Sequence, residues 1–132
     1  MGQATERLQR YLDDELEVCR EEDVDRRLDE LERLEKRLQG TQIDTELAVL
    51  SALASETRYS LVRVLVAADE ELCVCELNAV VDVTESGLSH ALSQLVDAGL
   101  VDGRKDGRWK KYRATNRAVA LVTLLDGSVC RE

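Results

Sequence analysis

Apolar residues recur at helical spacing through the N-terminal third of the chain. The first stripe consists of Leu8, Leu12, Leu16 and Cys19. It predicts an amphipathic helix over residues 4–19, and a second stripe, out of phase with the first, runs from Val24 to Leu38 and ends at Gly40. The pattern allows two helices, the second capped by Asp23, or one long helix with two faces. We expect residues 1–43 to form a helical arm that packs on a partner chain, because its apolar seam is thin.

Two further helices follow the arm. The first is capped by Asp44 or Thr45, and the second follows Ser55, which is a good N-cap residue. The second contains the run Leu61–Val66, which leaves almost no polar face and predicts a central place in the core. A short helix over Val74–Val81, a four-residue turn and a longer helix over Ser86–Asp97 then form the outline of a helix-turn-helix.

Two alternating runs, Leu100–Lys105 and Trp109–Ala114, flank an Asp106-Gly107 pair. This arrangement predicts a hairpin with a two-residue turn. We expect its aromatic residues, Trp109 and Tyr112, to pack the hairpin onto the core. A last helix over Arg117–Asp126, capped by Asn116, is so apolar that a symmetric dimer interface is its simplest cover.

Charge is distributed unevenly along the chain. The net charge is -9, and residues 1–46 hold 15 acidic and 8 basic residues, whereas Arg104–Arg117 holds seven basic residues and one acidic. A basic hairpin on an acidic body suits a DNA-binding protein, because cations contact phosphates. Only 4 of the 18 basic residues are Lys, and Phe and Pro are absent, which indicates a high-salt (halophilic) cytoplasm. We expect a cytoplasmic protein without a membrane partner, since no long apolar run and no signal-peptide pattern is present.

The four cysteines are expected to be ligands or redox switches, because a reducing compartment disfavours structural disulfides. Cys73 and Cys75 stand one residue apart at the start of the helix-turn-helix. Two residues apart on a regular helix point roughly 200° away from each other, so joint chelation needs an extended or unwound helix entrance. Thiolates without a nearby His select soft ions such as As(III), Sb(III), Cd, Pb or Cu(I).

Four stretches resemble the ArsR/SmtB family of winged-helix metalloregulators. They are ALASETR (52–58, with Glu56 in place of the family's Pro), ELCVCEL (71–77), VTESGLSHAL (83–92) and the wing, from Gly99-Leu-Val101 through Asp106-Gly-Arg-Trp109 to Tyr112-Arg113. The resemblance covers residues from about 46 to 125. It implies a winged helix-turn-helix over residues 44–126, mainly α with a β-hairpin wing, preceded by the arm and followed by a short tail, 127–132.

The resemblance also implies a function. Members of this family are homodimers that bind a palindromic double-stranded operator and repress a detoxification operon until an inducer releases them. The ELCVC box then places inducer ligands at Cys73 and Cys75, with As(III) or Sb(III) favoured, Cd, Pb or Zn as alternatives, and no cofactor required. A local third cysteine is missing, so Cys130, or less favourably Cys19, is the expected third ligand. The family's second metal site is absent, because residues 116–132 contain no His.

The predicted DNA-binding residues lie on the second helix of the helix-turn-helix and on the wing. They are Thr84, Ser86, Gly87, Ser89, His90, Ser93 and Gln94 on the helix, and Arg104, Lys105, Arg108 and Lys110 on the wing. Ser, His and Gln are able to read base edges, but this helix has no Lys or Arg. Phosphate contacts therefore fall to the wing, with Arg58 or Arg63 as further contributors.

Two alternatives remain open at the level of sequence. The cysteines suit a thiol redox or reactive-sulfur sensor of the same fold. The chain also suits a dimeric DNA-binding module that senses nothing. An enzyme is excluded, because the sequence offers no acid/base pair, phosphate loop or nucleophile triad.

Overall fold

The computed structural model describes residues 2–16 and 20–127, which form seven α-helices and three β-strands. The helices are α1 (Gly2–Glu15), α2 (Glu21–Gln39), α3 (Ile43–Leu53), α4 (Glu56–Ala68), α5 (Val74–Val80), α6 (Glu85–Asp97) and α7 (Asn116–Asp126). The strands are β1 (Leu72–Cys73), β2 (Val101–Asp106) and β3 (Trp109–Ala114). The contacts divide the chain into two compact units, Met1–Gln42 and Ile43–Glu132. Within the described ranges, no helix combines the length and apolar character needed to cross a bilayer.

The N-terminal unit contains two helices rather than one. The chain is extended at Arg20, which is the N-cap of α2 (φ -104°, ψ 159°). The backbone N–H of Arg20 donates to the carboxylate of Asp23 at 3.0 Å. Asp23 is therefore not the N-cap, as the sequence suggested, but the third residue of the helix, where an acidic side chain bonds back to the cap N–H. Cys19, at the end of the first apolar stripe, lies outside the described residues.

The core of the second unit is built on α4, as its apolar sequence predicted. Leu61, Val62 and Leu65 of this helix have no exposed surface. They belong to one cluster with the buried side of α6, which includes Leu88 and Leu92. Burial on this scale stabilises the fold by about 1.5–3 kcal/mol for each large side chain. The core thereby fixes α6, whose opposite face remains in solvent.

Two of the predicted helix starts need correction. α3 begins at Ile43, so Asp44 lies in its first turn instead of before it. At α7 the N-cap is Thr115, not Asn116: the Thr115 hydroxyl accepts from the N–H of Ala118 and donates to the carbonyl of Gly99. Asn116 is already the first residue of the helix, one position too late for an N-cap. The Ser55 cap of α4 is confirmed, since its hydroxyl accepts from the N–H of Arg58.

The three strands form an antiparallel sheet in the order β1-β3-β2. Asp106 pairs with Trp109, so the turn residues are Gly107 and Arg108, one position later than the Asp-Gly pair suggested. Gly107 has φ +63°, which suits the first position of a tight hairpin turn that only glycine fills without strain. Strand β1, which pairs with the far side of β3, was not predicted.

The two aromatic residues of the hairpin have different environments. Tyr112 is buried, with 6% of its surface exposed, whereas Trp109 is 51% exposed. The expectation that both pack on the core is correct for Tyr112 and wrong for Trp109. They lie on opposite faces of β3, and the hairpin has only one face toward the core.

Replacing Gly103 with alanine is expected to destabilise the second unit. A Cβ at this position would lie 2.8 Å from the Tyr112 ring, which is buried and unable to move aside freely. Overpacking of this kind costs about 1–3 kcal/mol, which urea unfolding will measure.

Gly40→Ala is the matched control, because its Cβ would meet only ordinary contacts, the nearest at 3.5 Å. This variant should be unchanged or up to about 1 kcal/mol more stable. Equal stability of the two variants would contradict the close packing of Tyr112 on Gly103.

Candidate thiol site and nucleic-acid interface

Cys73 lies at a junction between the sheet and the helix-turn-helix. It is the last residue of β1, where it pairs with Lys111 of β3, and it is also the N-cap of α5 (φ -76°, ψ 154°). Its backbone N–H donates to the side chain of Glu76 at 2.8 Å. The same residue is thus held by a strand partner and by the first turn of a helix.

The extended conformation of Cys73 lets the two sulfur atoms meet. Cys75 belongs to α5, and the two Cα atoms are 5.3 Å apart. The structure joins the two Sγ atoms as a disulfide. The N–H of Cys75 also donates to Cys73 Sγ at 3.2 Å, which holds that sulfur at the first turn of α5. The irregular helix entrance that joint chelation requires is therefore present.

The two cysteines differ in access. Cys73 is buried, with 8% of its surface exposed, whereas Cys75 is exposed. In the part of the chain that the structure describes, no group of three or more His, Cys, Asp or Glu side chains is placed to hold a metal ion. Cys130 and Cys19, the expected third ligands, both lie outside those residues. Among the described residues, the site therefore offers two sulfur donors and no third ligand beside them.

The predicted DNA-reading residues of α6 divide into an exposed stripe and a structural group. Ser86, Ser89, His90 and Ser93 are exposed and share one face of the helix. Thr84 caps the helix instead, accepting from the N–H of Gly87 at 3.1 Å. A Cβ at Gly87 would lie 2.9 Å from the Thr84 hydroxyl, so glycine allows the close approach of this cap.

Gln94 has a partner that the sequence did not reveal. Its side-chain oxygen accepts from the Arg58 guanidinium at 3.0 Å. The same guanidinium donates to the carbonyls of Ala52 and Ser51 at 2.7 and 3.2 Å. Arg58 therefore ties the end of α3 to α6. A phosphate contact by Arg58 stays a prediction beside this structural role.

Ion pairs within the chain engage several cations on and near the wing. Arg104 makes two hydrogen bonds to Glu71, at 2.5 and 2.7 Å, and this contact lowers the pKa of the Glu71 carboxyl. Lys111 lies 3.1 Å from Asp106 and lowers the pKa of that carboxyl. On α4, Arg63 contacts the Tyr59 ring and Asp126. Arg104, a predicted phosphate ligand, is thus bound to the residue two positions before Cys73.

Three other cations of the wing have no acidic partner among the described residues. Lys105, Arg108 and Lys110 are exposed and form no ion pair within those ranges. Arg108 lies over the Trp109 ring, with 5.6 Å between the guanidinium carbon and the ring centroid. The structure therefore brings together an exposed polar helix face, a cationic hairpin and a pair of thiols joined to that hairpin by β1.

Comparisons with known proteins agree with this arrangement. Residues 55–102 match the model of the arsR family of bacterial regulatory proteins. The chain is 54% identical over 125 residues to a Halobacterium salinarum protein named ArsR, for an arsenical resistance operon repressor; the match covers 95% of this chain and 97% of the relative.

Two solved structures show the same fold. HlyU from Vibrio cholerae has a TM-score of 0.60 at 29% identity, over 69% of this chain and 98% of HlyU. The homodimeric winged helix-turn-helix DNA-binding domain Mb0332 from Mycobacterium bovis has a TM-score of 0.59 at 25% identity, over 70% of this chain and 83% of that domain. Together with the H. salinarum relative, these matches show that the chain belongs to the arsR family of winged helix-turn-helix transcriptional regulators.

Proposed function

We propose that the protein is a homodimeric repressor that binds a palindromic operator and is released from it by thiophilic metal(loid) ions bound at Cys73 and Cys75. The observation that carries this proposal is the convergence of the two sulfur atoms at the entrance of the helix-turn-helix. An ion there would act directly beside the DNA-binding elements. The H. salinarum relative, named for arsenical resistance, supports As(III) or Sb(III) as the inducer ahead of Cd, Pb or Zn.

The chemistry of the site favours soft ions. Its donors are two sulfurs, and none of the described residues adds an imidazole or carboxylate cluster beside them. Bound As(III) or Sb(III) would take thiolate ligands, which requires the cysteines to be reduced and deprotonated. We propose Cys130 as the third ligand and Cys19 as the alternative, contributed by either subunit of the dimer.

Exposed apolar side chains support the dimer. Leu47 and Leu50 on α3 are 55% and 56% exposed, and Leu124 and Leu125 on α7 are 73% and 64% exposed. Exposed leucines on two helices mark a protein–protein interface, because they would promote aggregation of a monomer. A second copy of the chain would cover them, as the homodimeric state of the M. bovis domain suggests.

Release needs only a moderate coupling free energy. A hundredfold loss of operator affinity corresponds to about 2.7 kcal/mol. Cys73 belongs to the strand that pairs with the wing and to the turn that starts α5. An ion bound at its sulfur would compete with the N–H of Cys75 for that sulfur and so disturb the first turn of α5, and each subunit of a dimer would contribute to the total.

A second function, thiol redox sensing, is favoured by one observation: the structure joins the same two sulfurs as a disulfide. In that case the two thiols would lose two protons and two electrons to an oxidant such as a peroxide, which is reduced to water. No metal would then be needed. Release from the operator would be triggered by a thiophilic ion in the first function and by an oxidant in the second.

Replacing Cys73 or Cys75 with serine should abolish release by As(III). Serine keeps the approximate size but removes a soft donor, so the reduced variants should bind the operator as tightly as the wild type and stay bound when As(III) is added. Fluorescence anisotropy of a labelled operator duplex, titrated with As(III), checks this.

The other two cysteines test the third ligand, with Cys19→Ser as the matched control for Cys130→Ser. Cys130→Ser should weaken As(III)-induced release at least tenfold, whereas Cys19→Ser should leave it unchanged. Release of the reduced wild type by a peroxide, together with no response to As(III), Sb(III) or Cd(II), would overturn the metal proposal in favour of the redox function.

A further inference from the structure

A cleft of about 390 Å³ separates the two DNA-binding elements of the chain. Ser89 and Ser93 of α6 line one wall, and Lys110 and Tyr112 of β3 line the other. The two serines are one helical turn apart, so their hydroxyls lie on the same side of the helix. The Lys110 ammonium lies 5.7 Å from the centroid of the Tyr112 ring. The cleft thus combines two hydroxyl donors with one cation.

The cation in the cleft has no partner of opposite charge in the described ranges. Cross-strand pairing puts Lys105 and Lys110 on the same face of the hairpin, and neither forms an ion pair there. On the opposite face, Arg104 and Lys111 are bound to Glu71 and Asp106. The outer face of the hairpin, which carries Arg104 and Lys111, is therefore neutralised by acidic residues of the same chain. The face toward α6 keeps the positive charge of Lys110.

The geometry of DNA indicates what fills such a cleft. The second helix of a helix-turn-helix enters the major groove, so a sugar–phosphate strand that borders this groove would run alongside α6. The cleft lies alongside α6, between this helix and the cationic hairpin. A phosphate oxygen is also the acceptor that a lysine and two hydroxyls suit.

The same cleft is in contact with the thiol site. Val74, the residue between the two cysteines, lines it together with Ser89 and Lys110. Cys73 is, in addition, the strand partner of Lys111, which adjoins Lys110. A change in the path of residues 73–75 would therefore move one wall of the cleft directly.

We propose that this cleft seats a backbone phosphate of the operator, held by Lys110, Ser89 and Ser93, and that Val74 makes the seat responsive to the thiol site. The proposal rests on the proposed function, because it takes DNA as the ligand and the thiols as the switch. It reassigns the two serines from reading bases to holding the backbone, and it names the side chain through which an inducer acts.

The salt dependence of DNA binding tests the phosphate seat without any inducer. For the full-length reduced protein, Lys110→Gln should lower the slope of log affinity against log salt by about 1.8 per dimer, since each phosphate contact contributes about 0.9. It should weaken the operator and a random duplex by the same factor, roughly tenfold. Lys111→Gln, the matched control on the outer face, should leave the slope within about 0.5 of the wild type.

The double variant Ser89→Ala, Ser93→Ala should also lower the affinity for the operator and for the random duplex by the same factor, because a contact with the DNA backbone does not depend on the base sequence. The seat is refuted if Lys110→Gln and Lys111→Gln change the slope alike. It is also refuted if the serine variant weakens the operator alone, since the serines would then read bases. A wild type that binds neither duplex would instead refute the proposed function.

Val74→Ala tests the link to the thiols. Each operator affinity is compared with that of the same variant, and the ratio of operator affinities without and with saturating As(III) should fall about tenfold. Val96→Ala is the matched control, because Val96 lines the same cleft from α6. An unchanged ratio in Val74→Ala, or an equal loss in Val96→Ala, would overturn the role of Val74.

Discussion

Cys73 is the residue at which the sheet and the helix-turn-helix are joined. Its backbone pairs with Lys111 of the wing, its N–H is bonded by Glu76, and the helix α5 begins at the next residue. Both sets of hydrogen bonds depend on one extended backbone conformation, and the sulfur itself accepts from the N–H of Cys75 in the first turn of α5. Under the proposed function, a ligand at its sulfur would act on elements that Cys73 contacts directly, the first turn of α5 and the strand that pairs with the wing.

The organisation of charge on the hairpin explains how an acidic chain can bind DNA. The net charge of -9 opposes the approach of the protein to DNA phosphates, and α6, the second helix of the helix-turn-helix, has no Lys or Arg. Acidic side chains on the outer face of the wing, such as Asp106, are bound to cations of the same chain. Of the cations without an acidic partner among the described residues, Lys110 lines the cleft beside α6, where the DNA backbone would pass. Because few cations are available to contact phosphates, the slope of log DNA affinity against log salt concentration is modest. A modest slope suits DNA binding at high ionic strength.

The helices and the hairpin followed from the sequence because their signals are local. The Ser55 cap and the apolar run Leu61–Val66 located α4, and the outline of a short helix, a turn and a longer helix located α5 and α6. The Asp106-Gly107 pair between two alternating runs located the wing. The features that were missed depend on distant partners. Strand β1 exists because Leu72 meets Tyr112, and Arg58 is bound by Gln94, which is 36 residues away. Likewise, alternation separates Trp109 from Tyr112, but only the packed fold shows which of the two faces the core.

Thermodynamic reciprocity tests whether As(III) binding at the thiol site is coupled to operator binding. If As(III) weakens operator binding by a given factor, then the operator must weaken As(III) binding by the same factor. Isothermal titration of As(III) into the reduced dimer, alone and saturated with operator, measures the second factor. We expect this second factor to equal the first, and Cys73→Ser to bind no As(III) in either state. Equal As(III) affinity with and without operator would contradict it.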